Sequence, residues 1–343
     1  MRIIHVNERE GRVKLEPETV EDLWHLSKII NAGDIIISHT ERRYRIPGAK
    51  AEAGEKKSVM MELSAEKIEL HKHANVLRVT GKILGGTPEE YIQKGSYHTI
   101  DISLQNSFVL KKIEWTTYDR ERLKDAQKSS RRPMLKIVVM DERHANFATL
   151  RGYGIEYECE VESKTSKRDE QREERMKKYF GEIMKLIEDS KKTLVAGPGF
   201  SAESLKDYIK DKNPKLLKTI SFGHSSTAER SGIYELLRSG EVSRILEGER
   251  ISLEFEKIEN FQIELRKESG LAVYGPKEIR AALESGALKE LYVLDEVVRK
   301  DPTFLEDARA RRVEVTIFTS EEEPWKRLKS FGGIAGIARY RLN

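Results

Sequence analysis

The apolar pattern of the 343-residue chain changes period once, near residue 133, and that change limits the fold more than any other feature. Before it, short runs of alternating or β-branched residues recur at 2–6, 12–16, 34–37, 58–63, 67–71, 76–80, 98–103 and 108–115, separated by Gly, Asn and Asp. Runs of that length and period read as strands. One helix interrupts them. Thr19 with Asp22 has capping-box spacing, Val20, Leu23, Trp24, Leu26 and Ile30 follow at helical intervals, and Gly33 is a stop signal. A strand series with one early helix predicts a small barrel. The polar stretch 118–132, ahead of Pro133, reads as a boundary.

After Pro133 strands alternate with helices, the mark of an α/β domain. Residues 134–140, 193–196 and 217–222 are apolar strands, and Met176, Phe180, Ile183 and Ile187 fall on one helix face. Ser226 and Glu229 have capping-box spacing, and a charged helical run over 239–267 leads into a third unit. There Gly275-Pro276 and Asp301-Pro302 each open a helix, Ser320 with Glu323 caps another, and 291–294, 313–318 and 334–340 read as strands. The expectation is a multidomain α+β chain: a β-barrel domain over 1–130, a central α/β domain over 131–259 and a C-terminal α/β/α sandwich over 260–343.

Composition narrows the function. Charged residues are 35% of the chain against about 25% on average, while glutamine occurs five times and asparagine eight times, a pattern of heat adaptation. Because 62 Lys+Arg stand against 58 Asp+Glu, the net charge is only +4, and a nucleic-acid surface has to be a local patch. The single Cys159 excludes a disulfide framework and a multi-cysteine zinc site. With no apolar run of membrane-spanning length and no signal-peptide pattern over 1–12, a cytoplasmic, monomeric protein without contact with a membrane is expected.

Three segments carry candidate contact residues. The stretch 41–57 holds Arg42, Arg43, Arg45, Lys50, Lys56 and Lys57 against three glutamates, a net of +3. Arginines on a hairpin loop suit RNA phosphates and stacked bases, and a solvated loop is the plainer reading. In 163–175, Lys164, Lys167, Arg168, Arg172 and Arg175 are interleaved with acids ahead of an apolar helix face; this is either a salt-bridged helix end or a docking surface. Gly197-Pro198-Gly199-Phe200 joins a strand to a helix without Walker or dinucleotide spacing, so a tight turn is the default and an exposed Phe200 the candidate contact.

Catalytic signals are thin. His71 and His73 share a strand face without a third metal ligand, Gly223-His224-Ser225-Ser226 pairs a histidine with helix-capping serines, and Cys159 has no basic neighbour. No catalytic residue, intrinsic cofactor or metal ligand is assigned.

In chain order, Val13–Trp24, Gly33-Asp34 before Arg42-Arg43, and Tyr97-His-Thr-Ile-Asp101 followed by Trp115 resemble the N-terminal domain of the Pelota family of ribosome-rescue factors. Val138-Val-Met-Asp141, His144-Ala-Asn146, Ala196-Gly-Pro-Gly-Phe200 and Gly223-His-Ser-Ser226 are similar to its central domain, and Tyr274-Gly275, Leu294-Asp295 and Gly332-Gly-Ile-Ala335 to its C-terminal domain. The resemblance implies an Sm-like N-terminal barrel and two domains like those of the class-1 translation release factor. The release factor's Asn-Ile-Lys-Ser and Gly-Gly-Gln motifs are absent from the sequence, which implies no peptide release.

The resemblance further implies binding to the vacant A site of stalled ribosomes with a GTP-bound elongation-factor-1-alpha-type GTPase, and subunit dissociation with an ABC-class recycling ATPase. GTP would be carried by the GTPase. Arg42, Arg43 and Arg45 would reach the decoding centre, Lys164, Lys167 and Arg168 ribosomal RNA or the GTPase, and Pro198, Gly199 and Phe200 the GTPase. The enzymatic alternative is a divalent-metal-dependent endoribonuclease, with Asp34, Glu41, His71 and His73 as its candidate ligands.

Overall fold

The computed structural model describes residues 1–45, 54–129, 134–165, 171–246 and 250–341. It divides into two units, Met1–Arg132 and Pro133–Asn343.

The first unit contains β1 (Arg2–Asn7), β2 (Arg12–Glu16), α1 (Val20–Ile29), β3 (Ile35–Arg45), β4 (Gly54–His71), β5 (Val76–Thr87), β6 (Tyr97–Ser103), β7 (Phe108–Lys111) and α2 (Thr117–Ser129). Its strands form one seven-stranded sheet in the order β1-β2-β7-β3-β4-β5-β6. Alternate residues fill one core: Val13 and Leu15, then Val59, Met61, Leu63 and Ala65, then Leu77 and Val79, then Ile100 and Ile102, with Leu23, Leu26 and Ile29 of α1 against them. Burying each leucine or isoleucine contributes roughly 1.5–3 kcal/mol, so the period-2 pattern is what selects the sheet face.

The capping box at Thr19 forms as the spacing predicts, with Thr19 and Asp22 bonding each other's backbone N–H. The stretch 118–132, read as a boundary, is mostly helix α2, which buries Tyr118, Leu123 and Ala126, and the division between the two units falls at its end. Lys112, only 4% exposed, fastens these parts. Its ammonium donates to the Ile29 carbonyl at 2.7 Å and to Asp34 at 2.6 Å, and stands 3.6 Å from Asp119. Burial pushes the Asp119 carboxyl up, and the Lys112 charge opposes that shift.

The second unit holds two sheets. The first comprises β8 (Leu135–Met140), β9 (His144–Arg151), β10 (Gly154–Glu162), β11 (Lys192–Ala196) and β12 (Ile220–Phe222), ordered β10-β9-β8-β11-β12. Between them run α3 (Arg172–Ile187) and α4 (Ser201–Lys212), followed by α5 (Arg230–Arg238), α6 (Glu241–Ile245) and α7 (Arg250–Arg266). Strand β8 sends Leu135, Ile137 and Val139 towards Ile233, Leu236 and Phe255, and Val138 and Met140 towards Tyr179, Ile183 and Leu205. A strand covered on both faces has to be apolar on both, which is why β8 lacks alternation beyond Lys136 near its start.

The last part contains β13 (Ala272–Tyr274), α8 (Pro276–Glu284), β14 (Leu288–Leu294), α9 (Asp295–Lys300), α10 (Pro302–Ala310), β15 (Glu314–Phe318), α11 (Glu323–Ser330) and β16 (Ile334–Ala338). Its sheet runs β13-β16-β14-β15, with α7 and α11 supplying Ile258, Phe261 and Leu328 to one face. Ile279, Ala282 and Leu283 of α8 are buried as well. The chain is thus a three-domain α+β protein. Helix α7 serves two cores, placing Ile251 and Phe255 in the central one and Ile258 and Phe261 in the C-terminal one.

Two serines expected as caps do other work. Ser226 donates to Glu235 at 2.7 Å, and α5 begins after Glu229 without a side-chain cap. Ser320 donates to the fully buried Glu254 of α7, which also accepts from the Thr319 N–H at 2.8 Å. Burial pushes the Glu254 carboxyl up to about 7, although these hydrogen bonds pull it down.

Two outcomes follow from the buried charges. Lys112→Met strands two buried carboxylates and should destabilise the first unit by about 3 kcal/mol, read as a lower urea midpoint for the transition of the full chain. The raised Glu254 value means that the folded chain binds a proton the unfolded chain has lost between about pH 4.5 and 7, so this stabilisation is present at low pH and is lost as pH rises through 7. Glu254→Gln stays neutral. Between pH 5 and 8 it should therefore gain roughly 2–3 kcal/mol of stability relative to the unchanged chain, checked by denaturation at both pH values.

Candidate RNA and partner-contact surfaces

Strands β3 and β4 pair without interruption from Ile35↔Ser64 to Arg45↔Gly54. The basic segment is therefore strand rather than loop on both sides of 46–53, and Lys50 lies outside the described residues. Register brings Arg42 opposite Lys57 and Arg43 opposite Lys56. Backbone register thus gathers four cationic residues on two adjacent rungs.

In the second unit, an open groove of about 950 Å³ brings together two of the three candidate segments. Pro198, Gly199 and Phe200 form one wall, Arg172, Glu173 and Met176 at the head of α3 another, and the turn Asp141, Glu142 and Arg143 a third. The Phe200 side chain is 81% exposed, an unusual position for a large aromatic ring. Gly197 is dictated by close approach, because a Cβ there would lie 1.8 Å from the Met140 carbonyl oxygen. Gly199 has φ +65°, the left-handed region that glycine adopts without strain.

Lys164 is exposed with φ 53°, and its carbonyl accepts a 2.7 Å bond from Arg175. Arg172 donates to Glu142 at 2.7 Å, closing the head of α3 onto the 141–143 turn. Lys167 and Arg168 lie outside the described residues. Further along α3, Glu173–Lys177 and Glu174–Lys178 form exposed ion pairs, each spanning one turn. The 141–143 wall went unassigned as a contact in the sequence; its only signal is a charged triplet between two apolar strands.

The catalytic candidates do not assemble. Asp34 is held by Lys112 and by the Asn31 N–H. Glu41 stands opposite Ser58, and His71 lies 13 residues further along β4, roughly 40 Å of strand. Among the described residues, no group of three or more His, Cys, Asp or Glu side chains could hold a metal ion. Ser225 and Ser226 both turn to Glu235, whose carboxyl the Ser226 bond holds below its usual range. Desolvation and then the Glu158 carboxylate push the Cys159 thiol up, the reverse of what a nucleophile requires. No described helix is long and apolar enough to cross a membrane.

A β-rich first domain followed by two mixed domains has counterparts among known proteins. Residues 1–127 match the Pelota N-terminal domain, 134–247 match eRF1 domain 2, and 251–342 match eRF1 domain 3. This order defines a three-domain protein of the release-factor class by architecture. The "Protein pelota homolog" of Thermococcus onnurineus is 35% identical over 357 residues, covering 100% of both chains. The chain belongs to the Pelota family. The crystal structure of the Thermoplasma acidophilum Pelota protein shares the fold, with a TM-score of 0.78 and 23% identity over 100% of both chains. So does Saccharomyces cerevisiae Dom34, a translation termination-like factor involved in RNA quality control pathways, with a TM-score of 0.58 and 20% identity over 100% of this chain and 99% of that one.

The groove loop separates two effects in one experiment. Gly197→Ala should lower stability by more than about 2 kcal/mol through its clash with Met140, whereas Phe200→Ala should stay within about 0.5 kcal/mol. Thermal denaturation of the two variants checks both.

Proposed function

We propose that the chain is a ribosome-rescue factor that occupies the vacant A site of stalled ribosomes, gripping RNA phosphates through the β3–β4 hairpin. The observation that carries this reading is the pair of like-charged rungs, Arg42 opposite Lys57 and Arg43 opposite Lys56, in a chain whose net charge is only +4. Cations gathered on adjacent rungs of one hairpin are suited to a polyanion, and phosphate contacts carry no sequence information. Such a grip fits a factor that acts whatever codon occupies the site. Family membership over the full length supports the same reading.

In this account the protein is a non-catalytic adaptor. Without a Gly-Gly-Gln motif it leaves the peptidyl-tRNA ester intact and promotes subunit dissociation with an ABC-class recycling ATPase. The GTP-bound elongation-factor-1-alpha-type partner would dock on the groove of the second unit, where the exposed Phe200 ring beside Pro198 and Gly199 offers an aromatic anchor and Arg143, Arg172 and Glu173 a charged rim. Lys164, with Lys167 and Arg168, would extend that surface towards the GTPase or ribosomal RNA. The GTP belongs to the partner, and the chain needs no cofactor of its own.

Purified stalled ribosomes with the two partner proteins test the proposal. Replacing Arg42, Arg43 and Arg45 together by alanine should reduce subunit splitting at least tenfold while leaving the thermal midpoint within a few degrees. Splitting at the unchanged rate, or a rate set by the A-site codon, would sink it.

A further inference from the structure

We propose that Tyr97, on β6 at the root of the basic hairpin, is a stacking platform for an unpaired RNA base, with Lys82 beside it for that nucleotide's phosphate. The inference rests on the rescue reading and specifies the kind of RNA bound: single-stranded, with accessible bases. Tyr97 is a large ring left 60% exposed. Across the ladder it faces Lys82, whose ammonium lies 5.6 Å from the ring centroid. A cation beside an aromatic face is the pairing that single-stranded nucleic-acid sites use, because every base has a π-face and every linkage a phosphate.

The position of the ring is fixed. Directly before it, the Ile83 N–H donates to the Ser96 carbonyl at 2.9 Å and the Gly95 N–H to the Ile83 carbonyl at 2.8 Å, which pins the entry to β6 against β5. Directly after it, Nε2 of His98 lies 3.1 Å from the Thr40 hydroxyl. Thr40 is two residues before Arg42 on β3. That contact brings the start of β6 beside β3, the strand that runs on into the arginines. The opposing charge nearby is Glu66, 3.5 Å from the Lys82 ammonium, and an incoming phosphate would compete with it for that cation.

Binding of the full chain to a 12-nucleotide uridine oligomer, measured against salt, tests the platform. Stacking energies of the usual size predict that Tyr97→Ala weakens binding about 5- to 100-fold without changing the salt slope. Lys56→Ala with Lys57→Ala should instead flatten the slope by about 0.7 for each phosphate the chain no longer neutralises. Tyr97→Trp should keep the affinity, and its added indole emission should be quenched by the oligomer. The ring is exposed, so the variants should fold, which their thermal midpoints would verify. Equal binding by the unchanged chain and Tyr97→Ala, or no quenching in Tyr97→Trp, overturns the platform. If the hairpin variant still weakens binding, that failure leaves the rescue reading standing; if the hairpin variants also split stalled ribosomes normally, the rescue reading itself fails.

Discussion

The buried ammonium of Lys112 is the contact on which the first unit turns. A charge removed from water has to be answered within a few ångströms or it costs several kcal/mol, and here one cation answers to the end of α1, the turn into β3 and the start of α2. Each of those points is a place where the chain changes direction, so satisfying one charge fixes three corners. The direction in which β3 leaves the core is fixed with them. The basic hairpin is the outward continuation of that strand, and it springs from a root that the Lys112 network holds.

A comparable economy governs the second unit. Helix α7 lends its first two turns to the central core and its later turns to the C-terminal one, and Glu254, directly before Phe255, ties the helix to the Thr319 N–H just past β15. Around it, Glu322 accepts from the Ile155 N–H, and Arg238 of α5 pairs with Glu323 of α11. Polar contacts of this kind cost little to break and remake compared with a shared apolar core. The helix therefore supplies continuity, while the carboxylates set the angle.

The sequence revealed those elements whose residues are buried. Period-2 runs became strands, the α3 face buried Phe180, Ile183 and Ile187, and Thr19, Gly275 and Asp301 each stand at the expected helix start. Where apolar residues thin out, the signal thins out too. Arg42–Arg45 continue β3 with no apolar residue on either side of the pleat except Tyr44, so nothing in their chemistry separates strand from loop. Helix α2 buries only a few of its 13 residues and reads in the sequence as a polar boundary stretch. The Ser-x-x-Glu spacing was ambiguous for another reason. At Thr19 the acid three residues on was the best partner available, but Ser226 found Glu235 nine residues away and Ser320 found Glu254 66 residues away. Tertiary partners outbid local ones, and no local pattern records them.

The near-neutral charge balance is consistent with this distribution of sites. A uniformly basic surface would bind any RNA along its length, and ribosomes present a large excess of it. Pairing surface cations with acids, as α3 does at Glu173–Lys177 and Glu174–Lys178, silences them. Under the proposed function, attraction survives where cations outnumber acids over a few residues, as they do over 41–57. Counterion release makes binding there steeply dependent on the number of phosphates met at once. In the proposed role, cations clustered on neighbouring rungs would meet more phosphates in a channel lined with RNA than on an open duplex face, a selectivity that needs no base reading.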